Sequence, residues 1–385
     1  MSDIKVRILV VDDEVDLQHL MVQKMRREIR RGRYEFEFAH NGAEALERLR
    51  ADSGFDIVLS DINMPVMDGL TLLAQIPEVN PDIRAVMVSA YGDMDNIRTA
   101  MNRGAFDFVT KPIDFTDLKV TIERTIENLT LWREALSTRD KLIALQNELG
   151  VARKMQQSIL PTTFPTKKEF DLYASMVPAR SVGGDFFDIY EFIDGRVGVV
   201  IADVSDKGVP AAMFMMASRT LLKACAATSA SPSSVLKQVN AMLAEDNDAM
   251  TFVTLLYGIY DPSTKELVYS NGGHNPPVIV KPDLSIELLE ATGGIALGVT
   301  EEFEYRENTV ALESGSMIVF YTDGVSEAEK SDSELFEMDR FCQIFREGTF
   351  GDAKEVTDTV FSSVKKFVGD SPQSDDITCL VLRVT

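Results

Sequence analysis

The chain has 385 residues, 45% apolar and 26% charged, with a formal net charge of −22. That length predicts two or three domains with sizeable cores, and no stretch is long and apolar enough for a signal peptide or a membrane span. Residues 161–385 alone hold 18 basic and 35 acidic side chains, which argues against nucleic acid as a partner, because that binding rests on neutralising phosphates.

In chain order, Val6 to Val11 is a continuous apolar run, as for a strand buried on both faces. Asp16 to Arg31 reads as a helix, and its basic run from Lys24 to Arg33 as that helix's solvated face. Gly42 to Arg50 is a second helix. Ile57 to Ser60, Ala85 to Ser89 and Phe106 to Thr110 are further buried strands, ending at Asp61, Ser89 and Lys111-Pro112. Strands alternating with helices predict a doubly wound parallel sheet, whose ligands bind at the carboxyl ends of the strands.

Asp12, Asp13, Asp61, Ser89 and Lys111 all fall there. A lone acid at a strand end often marks only where the chain leaves the core. Three acids together repel one another unless a hard cation such as magnesium, which takes oxygen ligands, sits between them. Asp61 is then a carboxylate nucleophile for a phosphoryl group, with the metal and Lys111 balancing the oxygens.

From Thr116 to Leu160 there is no proline and one glycine. Leu118, Ile122, Leu129, Trp132 and Leu136 form a narrow helical stripe, the seam expected of a coiled coil. A second seam, Leu142, Leu145, Leu149, Ala152 and Ile159, begins one residue early, so the register breaks at Ser137-Thr138-Arg139-Asp140. A continuous helix here is roughly 65 Å long, too long for one domain's interior. It predicts a connector, a homodimeric coiled coil and a two-state hinge at the break.

Pro161 and Pro165 end the helix. Beyond them strands dominate: Phe170 to Met176, Phe186 to Ile193, Val197 to Ala202, Thr251 to Tyr260, Glu266 to Ser270, Val278 to Val280, Met317 to Tyr321 and Ile377 to Val384. With helices at Pro210 to Ala227, Ser233 to Ala244, Met338 to Glu347 and Lys354 to Val368, this predicts an α+β layered fold. Acids stand beside strand ends in Gly183-Gly184-Asp185, Ala202-Asp203-Val204-Ser205, Thr322-Asp323-Gly324 and Ser374-Asp375-Asp376-Ile377-Thr378. The glycines there let backbone or ligand approach closely. His274 is the domain's one histidine, and Cys225, Cys342 and Cys379 lack metal-ligand spacing, so a histidine-ligated zinc centre is excluded and reduced thiols in a cytoplasmic protein are expected. Four carboxylates suit two hard cations and hydrolysis of a phosphate ester.

Two resemblances add to this. Val-Val-Asp12-Asp13-Glu14, Ser60-Asp61-Ile62-Asn63-Met64-Pro65, Asp68-Gly69, Ser89-Ala90-Tyr91-Gly92 and Lys111-Pro112 resemble the receiver domain of two-component response regulators over residues 1–115. The resemblance implies a five-stranded parallel sheet, Asp61 as phosphoacceptor from a sensor histidine kinase, and magnesium held by Asp12, Asp13, Asp61 and the Asn63 carbonyl. It also implies Ser89 and Phe108 as switch residues beside Lys111, and a cis Lys111–Pro112 bond.

The four acidic motifs, with Gly272-Gly273-His274-Asn275-Pro276 and Gly293-Gly294-Ile295-Ala296-Leu297-Gly298, resemble the metal-dependent PPM protein phosphatases over residues 161–385, in the branch acting in sporulation and sigma-factor partner switching. That likeness implies a β-sandwich flanked by helices and two manganese or magnesium ions on Asp185, Asp203, the Val204 carbonyl, Asp323 and Asp375. The substrate expected is phosphoserine or phosphothreonine on an anti-sigma-factor antagonist. An adaptor with an eroded site, binding a sigma-factor regulator, is the alternative; the complete ligand set favours the enzyme. Asp206-Lys207 stands where the family often has Gly-His, and Asp376 where it often has Asn, an extra carboxylate that strengthens or disturbs the metal centre. Gly184 belongs to the motif backbone, and His274 reads as a hydrogen-bonding residue of a turn more than as an acid.

Overall fold

The computed structural model describes residues 5–90, 92–165, 167–229, 231–245, 247–331 and 333–385. Tyr91, quoted in the receiver motif, lies outside the described residues. The chain divides into two compact units, Met1–Ala144 and Leu145–Thr385.

The first unit alternates strand and helix: β1 (Val6–Val11), α1 (Val15–Lys24), α2 (Arg26–Arg30), β2 (Tyr34–Ala39), α3 (Gly42–Ala51), β3 (Ile57–Asp61), α4 (Gly69–Val79), β4 (Arg84–Ala90), α5 (Met94–Asn102) and β5 (Asp107–Lys111). The sheet is parallel, ordered β2-β1-β3-β4-β5. Its central strands are apolar throughout because one face packs under α3 and α4 (Leu46, Leu49, Leu72, Ile76) and the other under α1 and the next helix (Met21, Leu118, Ile122). Asn41 and Asp68 cap α3 and α4, accepting from the Glu44 and Thr71 amides, as short polar side chains do at helix starts. β2 escapes a search for apolar runs because Tyr-Glu-Phe-Glu-Phe-Ala alternates, as a half-exposed edge strand should.

Helix α6 (Phe115–Ile159) is one 45-residue helix, and the division between the units falls inside it. The first seam is corrected here. Leu118 and Ile122 lie in the unit's own core with Ile8, Met21 and Val109, and Leu129 is buried too. Trp132 donates from Nε1 to Asp82 at 3.2 Å and sits under the Arg84 guanidinium. The spacing of a seam is the same whether a helix packs on a partner helix or on its own sheet, so it did not reveal which. Leu142 and Leu145 of the second seam are exposed.

The second unit is a sandwich of two antiparallel sheets. Its elements are β6 (Phe170–Val177), β7 (Phe186–Glu191), β8 (Val197–Val204), α7 (Val209–Ala226), α8 (Pro232–Ala244), β9 (Val253–Asp261), β10 (Glu266–Gly272), β11 (Val278–Val280), β12 (Ile286–Leu288), β13 (Asn308–Ala311), β14 (Met317–Tyr321), α9 (Asp323–Ser326), α10 (Glu337–Glu347), α11 (Ala353–Val368) and β15 (Ile377–Val384). One sheet runs β13-β10-β9-β8-β7 and the other β12-β11-β14-β15-β6.

Between them lie Phe170, Val199, Ile201, Phe320, Leu380 and Leu382. The outer face of the first sheet packs Val200, Ala202 and Tyr257 against α7 and α8, and that of the second packs Val319 and Val381 against α10 and α11. β8 therefore reads as an unbroken apolar run because both of its faces are covered. Among the described residues, no helix is long and apolar enough to cross a membrane.

Candidate metal centres

In the first unit the carboxyl ends of β1, β3 and β5 bring the predicted residues together. Among the described residues, Asp12, Asp13 and Asp61 form the one acid group whose ligand atoms lie within 4.8 Å of one another. Lys111 Nζ lies 2.6 Å from Asp61 Oδ2, 3.0 Å from Asp12 Oδ2 and 3.1 Å from Glu14 Oε1. Burial by itself would lower the Lys111 ammonium, but its bonds to Asp61, Asp12 and Glu14 raise it well above an ordinary lysine. Burial raises Asp12, against the Glu14 amide and Lys111, which pull it down. Asp12 Oδ2 is buried with the Lys111 ammonium at 3.0 Å, and its remaining lone pairs, beside the carboxylates of Asp13 and Asp61, suit a magnesium ion.

Asn63 donates its amide to Asp61 Oδ1 at 3.2 Å. Gly69 is required where it stands, since a Cβ there would lie 2.1 Å from the Asp61 carbonyl oxygen. Ser89 and Phe108 sit on neighbouring strands, with Met87 opposite Phe108 and Ser89 opposite Thr110. Ser89 Oγ is buried and unpartnered, Phe108 is exposed, and the Lys111–Pro112 bond is cis.

In the second unit the four predicted aspartates gather where the ends of the two sheets face each other. Asp185 precedes β7 and Asp203 lies on β8, which pair with Phe186 opposite Ala202. Asp323 opens α9 after β14, and Asp375 precedes β15, with Tyr321 opposite Cys379. One carboxylate ties the sheets together: Asp185 Oδ2 accepts from Thr322 Oγ1 at 2.7 Å and from Thr378 Oγ1 at 2.6 Å. Gly324 lets the strand ends close, since a Cβ there would lie 1.9 Å from the Asp376 carbonyl oxygen. A Cβ on Gly184 would meet Val204 O at 3.0 Å.

Asp185 is buried, Asp203, Asp323 and Asp375 are partly exposed, and neighbouring charges act on Asp185, Asp203 and Asp323. Burial raises Asp203 to about 7, helped by the neighbouring charge of Asp323 and opposed by a hydrogen bond with Asp185. Asp185 is driven well up by burial and then by Asp203 and Asp376. Asp323 is raised by burial, by Asp375 and by Glu327. Carboxyls that resist ionisation this strongly when alone are the donor set that divalent cations stabilise, so the residues fit a pair of hard ions.

Asp376 turns its carboxylate away from such a role: Oδ1 accepts from the Ala179 amide at 2.7 Å, and Oδ2 from Gly184 at 2.6 Å and Asp185 at 3.3 Å. It shapes the loop that presents Asp185. His274 is buried, with Nδ1 2.9 Å from Thr254 Oγ1 and Nε2 3.2 Å from Tyr321 O. A carbonyl accepts only, so Nε2 carries the proton, and burial lowers the ring to about 4. It is neutral and structural.

Sequence reasoning missed three groups. Thr322 and Thr378 were quoted inside motifs without a role. Gln156 of α6 is buried, donates from Nε2 to Gly183 O at 2.6 Å and accepts from Gly183 N at 3.0 Å through Oε1. Its signal was present: it fills the empty place between Ala152 and Ile159 in the second seam, a polar residue at an apolar position.

The comparisons bear on the two folds. The model of the stage II sporulation protein E family matches residues 193–385, and that of the response regulator receiver domain matches residues 8–123. The chain is 30% identical over 272 residues to the phosphoserine phosphatase RsbU of Bacillus subtilis, covering 70% of this chain and 79% of that protein. It is 29% identical over 262 residues to the protein IcfG of Synechocystis, covering 61% of this chain and 41% of that one. The PP2C domain of SiaA from Pseudomonas aeruginosa shares the fold, with a TM-score of 0.57 at 23% identity over 64% of this chain and all but 1% of that domain. The chain belongs to the stage II sporulation protein E family of PPM-type phosphatases, and joins that phosphatase domain to a response regulator receiver.

Proposed function

We propose that the chain removes phosphate from phosphoserine or phosphothreonine on a partner protein, an anti-sigma-factor antagonist, and that phosphorylation of Asp61 by a sensor histidine kinase gates this output. The observation that carries the reading is the set Asp185, Asp203, Asp323 and Asp375, drawn from both sheets to one edge, with Asp185, Asp203 and Asp323 raised by burial and by neighbouring acids. Asp185, Asp203, Asp323, Asp375 and the Val204 carbonyl would hold two manganese or magnesium ions. When bound, these supply an activated water and charge for the phosphoryl oxygens.

The chain's own residues prepare that chemistry. Thr322 and Thr378 fix the Asp185 carboxylate, Asp376 shapes its loop, and the β-sandwich edge buries Asp185. In the receiver, Asp61 attacks the phosphoryl donor, Lys111 neutralises the transferred oxygens, and Asp12, Asp13, Asp61 and the Asn63 carbonyl would hold magnesium. Ser89 and Phe108 are the switch pair in this reading, which the free buried hydroxyl of Ser89 supports.

RsbU is by name a phosphoserine phosphatase, which supports the substrate class. The exposed apolar residues Leu131, Leu142, Ile143, Leu145 and Met155 of α6 support a homodimer through that helix, with the polar stretch Ser137–Asp140 as its hinge. The location that follows is cytoplasmic. The test is the rate of manganese-dependent dephosphorylation of a phosphoserine antagonist, with and without beryllofluoride on the receiver. Manganese-dependent turnover that changes on loading is the expected result. No turnover defeats the enzyme reading, and equal rates defeat the gating.

A further inference from the structure

The phosphatase centre contains one ammonium group for which the metal reading has no use. Lys207 lies in Ser205-Asp206-Lys207-Gly208, the turn between β8 and α7. Asp206 and Gly208 on either side of it have φ of 69° and 86°, so the backbone bends sharply before and after it. The side chain crosses to the loop before β15. There Nζ lies 2.7 Å from Asp375 Oδ2 and donates to the Ser374 carbonyl at 2.7 Å. The other oxygen of Asp375, Oδ1, accepts from the Asp376 amide at 2.8 Å. Both oxygens of this carboxylate are therefore engaged by the chain itself. Asp185 differs: its Oδ2 is held by the hydroxyls of Thr322 and Thr378, and among the described residues no cationic side chain pairs with it.

A divalent ion that takes Asp375 as a ligand meets a cation already in place. It must displace the ammonium or share the carboxylate with it, and either lowers the gain on binding. We propose that Lys207 is a built-in counter-ion that competes with one of the two divalent cations for Asp375, and so sets the affinity of the more weakly held one. This rests on the metal reading of the four aspartates. Lys207 is a positioning residue in this scheme, acting through Asp375. The side chains are 38% and 33% exposed, so water screens the pair and the competition is modest, about three- to tenfold in dissociation constant. Leu149 of α6 lines the same cleft as Lys207, Gly208 and Val209, which puts the competing group beside the helix.

The experiment is calorimetric titration of manganese into the metal-free full chain, with Asp13→Ala in every sample to remove the receiver's own ion, carrying Lys207, Lys207→Met or Lys207→Arg, with circular dichroism to check the fold. The methionine variant is expected to tighten the weaker binding event by about three- to tenfold, and the arginine variant to return it toward the value with Lys207. Should the methionine variant fail to fold, Lys207→Gln replaces it in the same comparison. An unchanged affinity overturns the inference. A weakened one does so too, because Lys207 would then be holding Asp375 ready as a ligand. A chain with Lys207 that takes up no manganese overturns the metal reading itself, and this inference with it.

Discussion

The two acid clusters solve the same electrostatic problem differently. In the receiver a lysine sits inside the cluster, within 3.1 Å of Asp12, Glu14 and Asp61. In the phosphatase the lysine sits at the rim and pairs with Asp375, leaving Asp185 raised by burial and by Asp203, and Asp203 raised by burial and by Asp323. An internal ammonium suits an aspartate that must itself take a phosphoryl group. Its absence suits a centre whose charge is to be supplied by ions. The two clusters thus differ in how much of their negative charge the chain's own lysines meet.

The sharpest way to break this contrast is to remove one acid from each cluster. Asp203→Asn is expected to lower manganese-dependent turnover by about a thousandfold or more, because charge stabilisation in such sites amounts to several kcal/mol; Asp61→Asn should abolish acid-labile phosphate on the receiver. Turnover on phosphoserine protein and phosphate incorporation from a small phosphodonor are the readouts. A phosphatase that tolerates Asp203→Asn would erase the distinction.

A pH series tests the phosphatase centre. Asp203 has a folded value of about 7, above its ordinary 3.8. Its contribution to stability is therefore complete below about pH 4 and lost as pH rises through 7 in the metal-free chain. Manganese should then raise the melting temperature more at pH 8 than at pH 5.5, since the ligands must deprotonate to bind. Equal shifts at both values would contradict the raised acids.

Smaller effects test the supports. Gly69→Ala places a Cβ against the Asp61 carbonyl, and Gln156→Leu strands both backbone groups of Gly183. Each is expected to cost about 1–3 kcal/mol in urea unfolding. Asp206→Gly relieves a left-handed φ of 69° and should stabilise by about 0.5 kcal/mol, part of the gain being offset by a freer unfolded chain.

Much of this was legible in the residues. β1, β3 and β4 announced themselves as continuous apolar runs, and the acids at their ends, like the four aspartates of the phosphatase, were named from position. What escaped depended on partners far along the chain. β2 alternates and needs β1 beside it to be recognised. Leu118 and Ile122 have the spacing of a coiled-coil seam but pack on their own sheet. Asp376 resembled a ligand until the amides of Ala179, Gly184 and Asp185 were seen on it, and Lys207 showed no role until the turn delivered it to Asp375.

Gln156 gives α6 a property that apolar packing alone would not. Greasy contacts let a helix roll by small angles with little change in energy, but one amide gripping both the N–H and the C=O of a single glycine works like a key in a slot. Each residue of an α-helix advances the side chain by about 100°, so no neighbour can take over the grip. The helix is therefore seated on the phosphatase unit at one rotational phase. Rolling the helix away from that phase breaks both bonds to Gly183, the residue two before Asp185, at once.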